Sequence, residues 1–386
     1  MVYLDNGATS FPKPLAVVEE VKAFMTDVGG NAGRSGHKRA MEAAERVFEC
    51  REKTGAFFGA KEVENIFFGL NTTHVLNTVI KGILRAGDHV IISDIEHNSV
   101  YRPIYRLAGE GKISYDIFST VFEGKRKSDN EMLKSIMGLI RENTRMVICT
   151  ASSNICSVRL PLKAIGRLCR DKGIIFVVDG AQGAGHEVIN ITDMNIDALC
   201  VPAHKGLLGP QGCGVGILGE SMNDLLIDTV IEGGNGVDSL IGEMSVGLPE
   251  RLEAGTLPTP AICGLMRGIE AVENIGIEKI KEKERGLFTF CREALDTVRN
   301  VKIYLREEEG SILLFNIEGL PSEYVASELD RREICVRGGY HCSALGHSAL
   351  GTLDRGGVRV SFSIYNKKRD IEKLWRAVSE IVKQNI

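Results

Sequence analysis

Five short apolar runs constrain this chain more than any other feature of its 386 residues. They read "NIFFG" (65–69), "HVIISD" (89–94), "RMVICTA" (145–151), "IIFVVDG" (174–180) and "ALCVP" (198–202). Each is nearly continuous rather than alternating. A strand with one face in water alternates, whereas a strand covered on both faces does not. Helical patterns lie between the runs. "THVLNTVIKGILRAG" is expected to end on a glycine cap at Gly87, and "LPLKAIGRLCRDKG" to run from Pro161 to Gly173. Alternating strands and helices predict an α/β fold around a mainly parallel sheet.

Beyond about residue 260 the texture changes. A long helical stretch (261–297) leads to "VKIYL", "SILLFNIEG", "EICVRGGYHC" and "GGVRVSFSIYN", and then to an amphipathic helix, "KRDIEKLWRAVSEIVKQ". The expected organisation is a large α/β domain over 15–260. A smaller α+β domain is expected from 1–14 together with 261–386. No internal repeat or low-complexity linker interrupts it.

Charge and cysteine content narrow the function classes. A net charge of -4 without a long basic run leaves no electrostatic footprint for nucleic acid. No apolar run reaches the roughly 18 residues of a membrane span, and "MVYLDNGATSFPKP" has no apolar export core. The expectation is a cytoplasmic protein with no membrane or nucleic-acid partner. Ten cysteines are irregularly spaced, with no C-x-x-C pair, so neither a disulfide framework nor a metal site is expected. Most, such as Cys149, Cys169 and Cys200, read as small core residues; Cys342 is set apart below.

In open α/β sheets ligands bind at the carboxyl ends of the strands. The residues after each run are therefore informative. They are Asp179 and Gln182, His204 and Lys205, His97, Asn154, and Thr73 and His74 opening a helix. Singly, each has a plain structural explanation: a helix cap, a satisfied core histidine, a lysine reaching for solvent. Together they supply a phosphate cradle, an acid, a flat imidazole and a lysine. Pyridoxal 5'-phosphate needs each of these: a lysine for its Schiff base, an acid to keep the ring nitrogen protonated, and a phosphate site.

The order "DGAQ", "HKGLLGPQGCG", "EAGT", "RGGYHC" resembles the class V aminotransferase group of fold-type I pyridoxal-phosphate enzymes. Within that group the likeness is to cysteine desulfurases and selenocysteine lyases of the short-loop type, from "YLDNGATSFPKP" to "VRVSFSIYN". The resemblance implies a mainly parallel large-domain sheet of the seven-stranded type. It implies Lys205 as the Schiff-base lysine, Asp179 at the pyridine nitrogen, Gln182 near the ring hydroxyl and His97 on the ring face. Thr73, the backbone at His74, and His204 are implied at the phosphate, and Asn154 near ring and substrate. Thr256 is implied at the phosphate of a neighbouring subunit, hence a homodimer. The glycines after Lys205 are expected to let backbone crowd the cofactor.

"VRGGYHCSALG" separates desulfuration from transamination. A thiol beside an imidazole in a glycine-containing loop is a plausible nucleophile. The family's Arg-x-Gly-x-His-Cys pattern is matched by Arg337, Gly339, His341 and Cys342. The resemblance implies catalysis by Lys205, Cys342 and His97, with Arg359 holding a substrate carboxylate. L-cysteine would become L-alanine, leaving a persulfide on Cys342 for an acceptor protein. His347 and Ser343 are expected on a mobile loop that meets this acceptor. L-selenocysteine is the alternative substrate, and another class V reaction or a noncatalytic sulfur-carrier scaffold are further readings. Four positions depart from the family pattern: Pro202, Pro258, Ser157 and Asn235.

Overall fold

The fold is described from a computed structural model that covers residues 1–386 except 34, 223–226, 238, 307–309 and 386. In chain order the first half contains β1 (Val2–Tyr3), α1 (Leu15–Ala23), α2 (Lys38–Phe58), β2 (Ile66–Gly69), α3 (Thr72–Ile83), β3 (His89–Ser93), α4 (Asn98–Gly109) and β4 (Ser114–Phe118). Next come β5 (Val121–Phe122), β6 (Lys125–Arg126), α5 (Asp129–Leu139), β7 (Thr144–Thr150), α6 (Leu162–Lys172), β8 (Ile175–Asp179), β9 (Ala198–Pro202) and β10 (Gly214–Leu218). The remainder is α7 (Thr259–Ile275), α8 (Ile277–Asp296), β11 (Val301–Tyr304), β12 (Ile312–Ile317), α9 (Ser322–Asp330), β13 (Ile334–Cys335), β14 (Arg337–Gly339), α10 (Ala344–Ala349), β15 (Gly357–Ser361) and α11 (Lys368–Asn385).

A seven-stranded sheet runs in the order β2-β10-β9-β8-β7-β3-β4. Every pairing from β9 to β4 is parallel, and β10 is antiparallel to both its neighbours. The five apolar runs are five of these strands. β3 and β9 are buried at every residue, because helices cover both faces. The two strands that no run announced have weak signals for physical reasons. β4 is a half-exposed edge, Ser-Tyr-Asp-Ile-Phe, and β10 is glycine-rich because Phe67 lies where a Gly216 side chain would go.

Two expected boundaries move. α3 ends at Ile83, where Leu84 turns extended, and Gly87 belongs to the turn beyond it with φ +92°. The stretch 261–297 is two helices, broken at Gly276 with φ +89°, a conformation that only glycine adopts freely.

The second sheet is antiparallel, in the order β11-β12-β15-β14. α11 lays Ile371, Leu374, Val378 and Ile381 into its core. Each such side chain contributes about 1.5–3 kcal/mol of burial. The N-terminus is stitched to this sheet by the Ser361 N–H of β15, which donates to the Leu4 carbonyl at 2.7 Å, and β1 pairs with β13 in a separate two-stranded sheet. Ser157, one of the four departures, also joins the two sheets, its Oγ donating to the Ile312 carbonyl at 2.7 Å.

Candidate active site

The carboxyl ends of β7, β8 and β9 open into a cavity of about 100 Å³. Lys205 lies one turn beyond β9. Its Nζ has no hydrogen-bond or ion-pair partner among the described residues. Burial, opposed in part by the nearby Asp179 charge, pushes it down to about 8. Asp179 closes β8 and is itself buried. Its Oδ1 accepts the Ala181 N–H at 2.9 Å, and burial pushes its carboxyl up. A cation placed against it would restore its charge. Gln182 lines the same cavity and donates to the Gly7 carbonyl at 2.9 Å.

His97 caps α4. Its Nδ1 accepts the Ser99 N–H at 3.1 Å and contacts Ser99 Oγ at 2.7 Å. An Nδ1 that accepts leaves the proton on Nε2, and burial pushes the ring down to about 4, so the imidazole is neutral. Ser99 Oγ also meets Thr73 Oγ1 at 2.8 Å, which ties α3 to α4. Behind this corner lies Glu96, fully buried and pushed up to about 8 by burial. Its Oε1 takes the Ser93 hydroxyl and the Thr150 N–H, while Oε2 has no partner.

Three more buried polar atoms around the cavity have no partner among the described residues: Thr72 Oγ1, Asn154 Oδ1 and His204 Nδ1. Buried polar groups are normally satisfied, so such a cluster marks a site built for a polar ligand. Larger cavities of about 430, 370 and 350 Å³ exist, but none brings a lysine, a strand-end acid and a flat imidazole together.

The second sheet contributes a guanidinium and a thiol. Arg359 on β15 is fully buried; its Nη2 donates to Asp5 Oδ1 at 2.8 Å, its Nη1 to the Asn154 carbonyl at 3.0 Å, and its Nε is unpartnered. Asp5 is the main charge offsetting the burial of this arginine. Arg359→Met is therefore expected to destabilise the fold by about 2–4 kcal/mol, because Asp5 is left without its partner. Chemical denaturation of the variant, with Asp5→Asn/Arg359→Met as the compensated double mutant, measures this. Cys342 is exposed, and the Arg337 Nη2 lies 3.7 Å from its Sγ. A thiolate there interacts with both Lys205 and Arg359.

A model of the aminotransferase class-V family matches residues 2–374. The chain belongs to the class-V aminotransferase family. This family is pyridoxal-phosphate-dependent. A relative from Methanothermobacter thermautotrophicus, named "probable cysteine desulfurase", is 31% identical over 98% of this chain and 94% of its own length. One of the same name from Pyrococcus abyssi is 32% identical over 99% and 94%. An apo cysteine desulfurase structure from Thermococcus onnurineus superposes with a TM-score of 0.89 at 31% identity, covering 99% of this chain and 95% of that one. An S-sulfonic acid form of an Escherichia coli cysteine desulfurase gives 0.86 at 26%, covering 100% and 95%.

The cavity fits the family's cofactor. An unpartnered lysine, a buried acid lacking a cation, a neutral histidine and unsatisfied polar atoms at the start of α3 and beside Lys205 are the groups pyridoxal phosphate requires. Lys205, Asp179, His97, Gln182, Asn154, His204 and Thr73 all line it. His74 does not: its ring accepts the Leu70 N–H and its own N–H goes to Asn71 Oδ1, so the helix cap has taken the expected phosphate donor. Ser99 and Thr150 line the cavity without having been singled out. Thr256 is exposed and outside it. Pro202 borders it, as the missing hydroxyl suggested. Asn235 instead donates to the Glu250 carbonyl at 3.0 Å, and Pro258 opens α7.

A Gly206 side chain would strike the Ala184 carbonyl at 2.2 Å, and one at Gly214 would strike Asn71 beside the cavity. Two expectations fail on geometry. The His341 ring does not face the thiol but is buried, with Nε2 on the Arg337 carbonyl at 3.0 Å. Burial and the Arg359 charge push it down to about 3, so the cation beside the sulfur is Arg337. Finally, Ser343 and His347 are buried, not presented to an acceptor.

Proposed function

We propose that this chain converts L-cysteine to L-alanine with pyridoxal phosphate and leaves the sulfur as a persulfide on Cys342. The observation that carries the reading is an exposed Cys342, its Sγ 3.7 Å from the Arg337 guanidinium, together with a cavity lined by Lys205, Asp179 and His97. Bound pyridoxal phosphate supplies a ring that withdraws electrons from the bonds at the substrate α-carbon. Arg359 receives the substrate carboxylate on its unpartnered Nε edge, braced from behind by Asp5. Lys205, easily deprotonated, moves the proton at the α-carbon. The Cys342 sulfur, with the Arg337 guanidinium 3.7 Å away, attacks the substrate sulfur as a thiolate. An S–S bond forms, the C–S pair stays on carbon and takes a proton there, and alanine leaves. No outside oxidant or reductant enters.

The fuller reading includes a homodimer, a sulfur-acceptor protein and a cytoplasmic setting. The exposed Thr256, together with exposed Phe11, Leu15, Phe48 and Val246, supports a subunit interface that completes the neighbour's phosphate site. All ten cysteines are free, as suits a reducing compartment. Among the described residues no helix is long and apolar enough to cross a membrane. The division into 15–260 and 1–14 plus 261–386 is supported by the ladder of β1 on β13.

The test is alanine production by the loaded enzyme from L-cysteine and, in parallel, from L-selenocysteine. Alanine from L-cysteine is expected. Alanine from L-selenocysteine alone assigns the chain to the lyases, and alanine from neither rejects both.

A further inference from the structure

The turn that carries Cys342 is anchored by two of its carbonyls and by one side chain. The Asn98 N–H donates to the Cys342 carbonyl at 2.8 Å, Asn154 Nδ2 donates to the His341 carbonyl at 2.7 Å, and Ser343 Oγ donates to the Glu96 carbonyl at 3.2 Å. His341 and Cys342 are both left-handed, with φ +51° and +56°. Two successive non-glycine residues rarely hold that conformation unless their surroundings enforce it.

Inside the turn, three side chains form a line. Thr352 Oγ1 lies 2.7 Å from His347 Nδ1, His347 Nε2 lies 3.2 Å from His341 Nδ1, and His341 Nε2 lies 3.0 Å from the Arg337 carbonyl. The carbonyl can only accept, so His341 carries its proton on Nε2 and its Nδ1 accepts. His347 must then donate from Nε2, and its Nδ1 accepts from the Thr352 hydroxyl. Every proton in the line is fixed by its far end. Both rings are buried and lie edge to edge, nearly coplanar, with centroids 5.4 Å apart and planes 14° from parallel. Burial pushes His347 down to about 4, so both stay neutral at ordinary pH.

We propose that His347 is a positioning residue for sulfur transfer, which donates to His341 and so holds the Arg337 guanidinium and the Cys342 sulfur in a preset contact. The inference rests on the reading of Cys342 as nucleophile. The line ends on the Arg337 carbonyl, and the side chain of that same residue reaches Cys342 Sγ at 3.7 Å. Losing the His347 donor leaves His341 free to change tautomer, release the carbonyl and let Arg337 drift. A shift of about 1 Å at reacting atoms costs up to about a hundredfold in rate.

The test compares His347→Leu, His347→Gln and Thr352→Val in the loaded enzyme. Leucine fills the space without a donor, and glutamine keeps an N–H donor. A packing role favours leucine, whereas the hydrogen-bond role favours glutamine. In His347→Leu, kcat for L-cysteine is expected to fall about tenfold or more with KM nearly unchanged. The rate of alkylation of Cys342 by iodoacetamide at a fixed pH should change several-fold, since the Arg337 guanidinium no longer keeps its 3.7 Å contact with the sulfur. His347→Gln should restore both. An unchanged alkylation rate in His347→Leu, or glutamine no better than leucine, overturns the proposal. If His347→Leu does not fold, Thr352→Val carries the test: the same change in alkylation rate, smaller, is expected, and an unchanged rate overturns it. Alkylation needs no turnover, so it decides the question even if the wild type makes no alanine.

Discussion

Lys205→Ala should reduce alanine production from L-cysteine by about ten-thousand-fold or more, because one side chain both anchors the cofactor and moves the α-proton. The loss should be visible before any substrate is added, as the absence of a borohydride-reducible cofactor adduct. A variant that retained the adduct would remove Lys205 from its role. The lysine also has a pH signature in the cofactor-free protein. Burial lowers it from 10.5 to about 8, so between these values the unfolded chain holds the proton and the folded chain has released it. Stability therefore rises with pH across that window. Below it, the buried charge is a standing cost. Lys205→Met should be more stable than the wild type by about 2 kcal/mol near neutral pH, after allowance for the lysine's residual contact with solvent. The advantage should vanish as the pH climbs past the ordinary lysine range. Denaturant midpoints at two pH values measure it, and a constant difference contradicts the assignment.

Cys342→Ala has the second large effect. Activity toward L-cysteine should fall by at least about a hundredfold, since no other thiol can take the sulfur. Of the other nine cysteines, eight are buried and Cys335 is half-buried, so none is presented as Cys342 is. The cofactor spectrum should be unaltered, because Cys342 is outside the group of residues lining the cavity. A variant that desulfurates at the wild-type rate would move the chemistry away from this residue and toward a route like that of a lyase. Loss of the cofactor spectrum would instead mean that the turn at Cys342 supports the cavity itself.

The buried sheet was legible because its strands are covered on both faces. β7, β8 and β9 have no polar face to alternate, and the chemistry begins where the apolar run stops, at Asn154, Asp179 and Lys205. β10 was not, because Gly214 and Gly216 are set by the close approach of Asn71 and Phe67, and glycine in a strand reads as loop. Side-chain direction was the other thing a sequence hides. His74 and His341 stand where the motif places them, yet both rings turn inward to backbone partners, a Leu70 N–H and an Arg337 carbonyl. Ser99 was passed over as an ordinary helix-start residue, although it joins Thr73 to His97 and fixes the histidine's tautomer. The resemblance supplied roles that spacing alone could not, above all those of Thr256 and Arg359. The mobile loop expected at Ser343 and His347 is contradicted by their burial.

The most direct measurement is the mass of the Cys342 peptide after a brief incubation of the loaded enzyme with L-cysteine and no acceptor. The account predicts one added sulfur atom on Cys342, removable by a thiol reductant, in step with one alanine released per subunit. Alanine released with Cys342 unmodified, or sulfur found on another cysteine, would contradict it.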